Sequence, residues 1–466
     1  MFKKFQKRHS KKLLAFLTAA VLLAGCCGCG AGTQTKSQTD ETLPAATESL
    51  VLYAGPYMTE YLNRAVNSFK QQYPDVDVQV RDFGDYSDPQ NETTYLETLK
   101  SDLSAGAGPD LILFMTGGQA DNEFDDMEKT MQSGIFQDLN GYLAGDTEYT
   151  SEDYNTAVLN AGVYNENQFY IPLGYKVETL VTTEEMLASV KQTLPETADA
   201  FNQCMCSFGQ TYRDDTGKYF SAHPNMFFNL FWSSGISILD YDSKTVSADG
   251  DELGALLDAY KELYEIDCGR SEKELYVKDP NMYSTLQDAQ LLEEGKILQI
   301  LESEPQRFMD EYSLLSYQYV PEFTAIPSVQ GKPAAEVSMG AAINKNADNK
   351  ANAYRMLRVM MGEEMQEYGC DLGNLPVLNG TLEKYMLLNN IGRDQEATEN
   401  SPGSKTLPQD VIDKYVALMT DVTCANVSST VEGFVWDEME PYFTGQKSYD
   451  DCLASLKNKL ELYVNE

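Results

Sequence analysis

Positive charge, histidine and tryptophan are all scarce in this chain, and each scarcity excludes something. Its 466 residues carry 35 Lys and Arg against 72 Asp and Glu, a formal net charge of −37. A nucleic-acid binder must neutralise phosphates with a basic face, and this chain has no such field to offer. Anionic lipid headgroups would repel it for the same reason. The only histidines are His9 and His223, so a Ser-His-Asp triad or a histidine-rich metal site would hang on a single residue in the body. There is no G-x-x-x-x-G-K-S/T, so ATP hydrolysis belongs to another chain. Gly106-Ala107-Gly108 lacks the rest of a dinucleotide fingerprint and reads as a turn. Asp240 to Lys244 opens like a calcium loop, but Lys244 stands at a ligand position and Thr245 where glycine is needed, so a hairpin is predicted. No metal and no cofactor is expected. A repeat of 20 to 50 residues is also absent, which argues against a solenoid.

What is present suits a folded chain of roughly two or three domains' worth of material, being 42% hydrophobic and 11% aromatic. Residues 1–12 carry Lys3, Lys4, Lys7, Arg8, Lys11 and Lys12 with no acid, and Leu13 to Gly25 then run almost wholly apolar. Those 13 residues fall short of the ~20 that a spanning helix requires, so the segment reads as a secretory signal. Leu23-Ala24-Gly25-Cys26 resembles the bacterial lipobox, which implies a diacylglyceryl group on Cys26 and cleavage in front of it. Removing residues 1–25 takes six of the 35 basic residues and leaves 29 against 72 acids, a net −43. Residues 26–47 are small and polar, a flexible stalk between lipid and body. The expected location is the extracytoplasmic face of the cell membrane. Nine cysteines occur, three of them at the anchor; Cys204, Cys206, Cys268, Cys370, Cys424 and Cys452 remain as paired or buried thiols.

The body opens with Leu50-Val51-Leu52-Tyr53. Met58, Tyr61, Leu62, Ala65, Val66 and Phe69 then mark one face of a helix that Pro74 stops. Val76, Val78 and Val80 alternate as a strand, so this stretch spells β-α-β with parallel pairing. A second round follows: Leu96, Leu99 and Leu103 on a helix, a glycine-rich stop, and the buried strand Asp110 to Phe114. Ligands of such sheets collect at the carboxyl ends of the strands, here Tyr53 to Tyr57 and Met115 to Gly118. Phe169 to Thr182 reads as extended and Glu252 to Tyr264 as a helix. Val337 to Ile343 looks like a strand leading into the helix Asn349 to Met361. Ser448 is a candidate N-cap for the last helix, with Asp451 three residues on.

In this order the segments resemble the extracellular solute-binding proteins of bacterial ABC transporters, in the carbohydrate-binding family 1 that includes maltose-binding protein. The resemblance rests on residues 50–80, on Leu99 to Phe114, on Phe136-Gln137-Asp138-Leu139 with Tyr142-Leu143, and on Val163 to Leu187. Gly295-Lys296-Ile297, Gly340 to Asp348 and Trp436 to Leu460 follow in family order. It implies an α/β, two-lobed, periplasmic-binding-protein-like fold of type II, each lobe a mainly parallel sheet flanked by helices and joined through a hinge. Lobe 1 is expected at residues 48–174 with 340–375, and lobe 2 at 175–339 with 376–466. A monomer is expected, not an enzyme, which captures a sugar or oligosaccharide in the cleft and delivers it to ABC permease subunits. Two departures keep a peptide or metabolite receptor open: Thr182-Thr183-Glu184 where relatives have Tyr-Asn-Lys, and Glu302-Ser303-Glu304-Pro305 where they have a Gly-Pro-Trp-like turn. A glycan hydrolase with paired carboxylates is the remaining reading.

A sugar presents apolar C–H faces and a ring of hydroxyls, so its pocket needs aromatic planes together with polar partners. Trp232 and Trp436 are the only tryptophans and the first candidates. Tyr53, Tyr57 and Tyr175 stand in or just after predicted strands. Lys176 and Glu302 are candidate polar partners, and Thr116 and Met339 enter as strand-end positions.

Overall fold

The structure is a computed structural model describing residues 49–116, 123–216, 226–267, 269–270, 299–302, 304–395, 404–427 and 430–466. The leader, Cys26, the stalk, His223 and Cys268 lie outside the described residues. In chain order the strands are β1 (Leu50–Ala54), β2 (Val78–Asp82), β3 (Leu111–Met115), β4 (Val163–Tyr164), β5 (Asn167–Gln168), β6 (Tyr170–Lys176) and β7 (Glu178–Thr183). Then come β8 (Leu239–Asp240), β9 (Thr245–Val246), β10 (Gln299–Glu302), β11 (Pro321–Ala325), β12 (Ala335–Ile343), β13 (Leu375–Pro376) and β14 (Ala425–Asn426).

The predicted first helix forms at Thr59–Gln72 and buries Tyr61, Leu62, Ala65, Val66 and Phe69, the stripe its periodicity marked. It returns the chain to β2, which lies parallel to β1 in the register Leu50↔Val78. The helix Pro89–Ser104 starts on Asp88, whose carboxylate accepts the Gln90 N–H, with proline at the first position where no N–H is needed. It buries Leu96, Leu99 and Leu103 and feeds β3, also parallel to β1.

Both sheets depart from the expected pairing. The larger runs β13-β6-β12-β3-β1-β2, with β14 beside β12. Parallel pairing holds for β1 with β2 and β3, and for β12 with β14; β12 is antiparallel to β3 and β6, and β13 to β6. The smaller sheet, β10-β7-β11, is antiparallel throughout. Parallel neighbours need a helical crossover between them. β1 to β3 are joined by helices, whereas β12 enters directly from the smaller sheet and runs against β3 and β6. Close packing at the centre of the larger sheet depends on Gly340, where a Cβ would stand 2.6 Å from Phe114 Cζ.

A single residue, the buried Val177, separates β6 of the larger sheet from β7 of the smaller one. The other direct strand connection, from β11 to β12, is the segment 326–334. The predicted hairpin at Asp240 to Lys244 is present: β8 and β9 pair, Asp240 Oδ1 accepts the N–H groups of Asp242 and Ser243 at 3.0 and 2.9 Å, and Lys244 takes φ +53°. Ser448 caps Tyr449–Asn465 as expected, its hydroxyl accepting from Asp451 N and donating to Asp451 Oδ2. Cys204, Cys206, Cys370, Cys424 and Cys452 are free thiols, and burial pushes Cys204 and Cys206 up to about 11, out of the reactive range. Among the described residues no helix is long and apolar enough to cross a membrane.

Candidate ligand-binding cleft

Chain segments on the two sides of the Val177 link meet at Asp126. This residue caps the helix Met127–Ser133, its Oδ1 accepting the Lys129 N–H at 2.9 Å. Its Oδ2 accepts two phenols, Tyr241 from the β8-β9 hairpin and Tyr463 from the last helix, the latter at 2.7 Å. Lys129 lies over the Tyr463 ring, 3.6 Å from its centroid. Close by, the Tyr164 hydroxyl donates to Asp242.

Beside this junction is a cavity of about 310 Å³, within the range of small-molecule sites. Asp126, Glu128 and Met131 line one side; Phe231, Trp232, Ile238 and Tyr241 line another; Asn426, Val427 and Glu432 complete the wall. Trp232 is half-buried, its Nε1–H donating to Glu432 Oε1 at 3.1 Å and its carbonyl accepting Asn426 Nδ2 at 2.8 Å. That pins the indole and its carboxylate in one orientation. Glu128 is held up at about 7, by burial first and then by Asp126, Asp242 and Asp240. The wall thus combines an indole, a phenol, amides and carboxylates, and among its described residues it carries no Lys, Arg or His.

The structure sorts the nine sequence candidates. Trp232 is on the cavity wall, and Lys176 shares with it a narrow crevice that also takes in Glu178 and Glu336. Trp436 packs against Phe227, Phe443 and Tyr260 at 5.3, 5.9 and 6.1 Å, while Phe228 lies 6.0 Å from one indole and 6.2 Å from the other. Tyr57 is 54% exposed beyond the end of β1 and stacks on Tyr86 at 5.7 Å. Glu302 ends β10 opposite Glu178; its side chain lies outside the described residues.

Of the nine, three are buried and a fourth is half-buried and already engaged. Tyr175 is fully buried and donates its hydroxyl to Met419 O at 3.1 Å. Met339 is buried opposite Met115. Thr116 is buried with its hydroxyl on Val337 O. Tyr53 is half-buried, bound to Asp102 Oδ2 at 2.7 Å with Arg81 over its ring at 5.3 Å. For Tyr175 and Met339 the reason is that β6 and β12 are covered on both faces, so a strand-end position there is not an open one; Thr116, just past β3, is drawn in by its bonds to β12. Sequence reasoning missed Asp126, Glu128, Tyr241 and Glu432. The signal available was slight: Glu432 is one helical turn before Trp436, and Tyr241 is at the tip of the hairpin.

The bacterial extracellular solute-binding protein family model matches residues 55–367. The chain belongs to that family. Comparison with curated proteins gives no match. Among solved structures, this solute-binding protein is similar to the sugar-binding protein MalE of Xanthomonas citri, at 14% identity and a TM-score of 0.64, covering 90% of this chain and 97% of that one. It is also similar to the cyclic α-maltosyl-1,6-maltose binding protein of Arthrobacter globiformis (17% identity, TM-score 0.58, 90% and 99% covered). A third is the Listeria monocytogenes substrate-binding protein Lmo0181, solved with cycloalternan (15% identity, TM-score 0.57, 90% and 99% covered). These likenesses give this solute-binding protein the two-lobed α/β fold, and its family and structural neighbours are binders rather than enzymes.

Proposed function

We propose that this solute-binding protein captures a sugar or oligosaccharide between its lobes and presents it to the permease of an ABC importer. The observation that carries the reading is the 310 Å³ cavity, where Trp232, Tyr241, Glu432 and Asp126 combine an aromatic plane with hydrogen-bonding groups that suit a ring of hydroxyls. The sugar-binding names of the structural neighbours support it. Lobe 1 is taken as residues 48–174 with 340–375 and lobe 2 as 175–339 with 376–466. Ligand touching both lobes favours the closed state, which is what a permease would read. Tyr57, Lys176, Glu302 and Trp436 are proposed as further contacts around Trp232. A lipid on Cys26 would hold the protein at the extracytoplasmic face of the cell membrane.

A thermal-shift screen of the folded body against mono- and oligosaccharides, peptides and polyols tests the reading. Ligand at ~100 times its dissociation constant adds about 2.7 kcal/mol and raises the midpoint by a few degrees. A rise with one glycan family, the glycan being recovered intact, is expected. A rise with peptides alone overturns the carbohydrate assignment and keeps the fold.

A further inference from the structure

The helix Met226–Ser234 has a cavity on each side. Phe231 and Trp232 face the cleft; Leu230 and Ser234, one turn apart, face a second cavity of about 360 Å³. Its far walls come from the first turns of Ala198–Thr216 and Asp251–Glu265 and from the segment 326–331. This is the beginning of the β11-β12 connection, and Val329 N–H donates to Ser234 O at 3.0 Å.

The walls are largely apolar: Phe201, Leu230, Ile326 and Pro327 are all buried. Such a surface holds water poorly. The rim is acidic, with the exposed Asp199, Asp251 and Glu252, none of which enters an ion pair among the described residues. No Lys, Arg or His is among the described residues of the wall. In the same wall the buried Oδ1 of Asn202 finds no donor among the described residues. The rim carboxylates and the Asn202 oxygen therefore ask for a hydrogen-bond donor or a positive charge, and the floor asks for hydrocarbon. An anion would meet three carboxylates and, among the described residues of the wall, no counter-charge.

We propose that this cavity is a second binding site, separate from the solute cleft, for a small amphipathic organic cation: its ammonium group at the carboxylate rim, its apolar body against Phe201, Leu230 and Pro327. The test is calorimetric titration of the full chain with 4-phenylbutylammonium, beside 4-phenylbutyrate as an anion of the same shape. Saturable binding of the cation, at least about tenfold tighter than the anion, is expected. The charge variant Asp199→Asn, Asp251→Asn, Glu252→Gln should weaken it about tenfold. Ala255→Trp, which places an indole in the mouth from an exposed helix position, should abolish it; a thermal melt checks that this variant folds, and the charge variant decides alone if it does not. Failure of the cation to saturate, equal binding of the anion, or cation binding unmoved by the charge variant overturns the proposal. Excess cleft-binding saccharide should not displace the probe, whereas simple competition would place the cation in the cleft and sink the second site.

Discussion

The strand ends of the larger sheet and the aromatic shelf of the other half carry similar residue types and put them to different use. At the larger sheet Tyr53, Thr116 and Met339 are engaged inward, and the buried Glu123 accepts the Met115 N–H at 3.2 Å. On the shelf Trp232 is turned to a cavity with its N–H already placed on Glu432. A polar or aromatic side chain at a strand end is therefore a weak pointer to a site. What distinguishes the shelf is that its partners orient the side chain and leave a face open.

The largest expected effect belongs to the shelf's own core. Trp436→Ala removes a ring packed on Phe227, Tyr260 and Phe443 and should cost about 3 kcal/mol in a urea melt. A cost under about 1 kcal/mol would make Trp436 a surface ring and erase its contrast with Trp232. Glu123 comes next. Burial pushes its carboxyl up to about 7 from an ordinary 4.5, although hydrogen bonds from its own backbone N–H and that of Met115 pull it down. The folded state therefore keeps a proton that the unfolded chain releases. The associated stability is fully present below the unfolded value and is lost as pH rises through about 7, by on the order of 3 kcal/mol. Glu123→Gln should flatten that slope in melts at several pH values while leaving saccharide affinity alone; a slope unchanged by the substitution would remove Glu123 from the account.

Binding measurements sharpen the contrast further. Trp232→Ala should weaken saccharide binding by ~1 to 3 kcal/mol in calorimetry with the fold intact. Tyr57→Ala should weaken it by only ~0.5 to 1 kcal/mol, since an exposed ring already stacked on Tyr86 offers a ligand less fresh surface. Should Tyr57 prove the costlier loss, the roles of the two regions are reversed.

Much of the fold was legible where order is local. The stripe of the first helix, the Ser448 cap and the Asp240 hairpin depend on residues a few positions apart, and each formed where the spacing placed it. Strand direction in the smaller sheet was not, because β7 pairs with β10 and β11, more than a hundred residues away in sequence. The candidate site was legible only in part. Trp232, singled out by residue type, lines the cavity, but Asp126 meets Tyr241 and Tyr463 across 115 and 337 residues of sequence, and no local period records such a meeting. Tyr175 misled because β6 is buried on both faces, so nothing in its alternation separates an inward side chain from an outward one.

Val177 has a mechanical consequence. Ladder hydrogen bonds hold the strands on either side of it, so the joint has the free play of one residue's dihedral angles and no more. The 326–334 connection spans nine residues between its strands and is tied down along its course, Ile326 N–H to Glu178 O at 2.8 Å and Val329 N–H to Ser234 O at 3.0 Å. One behaves as a pivot and the other as a strap. A body mounted in that way would swing rather than slide.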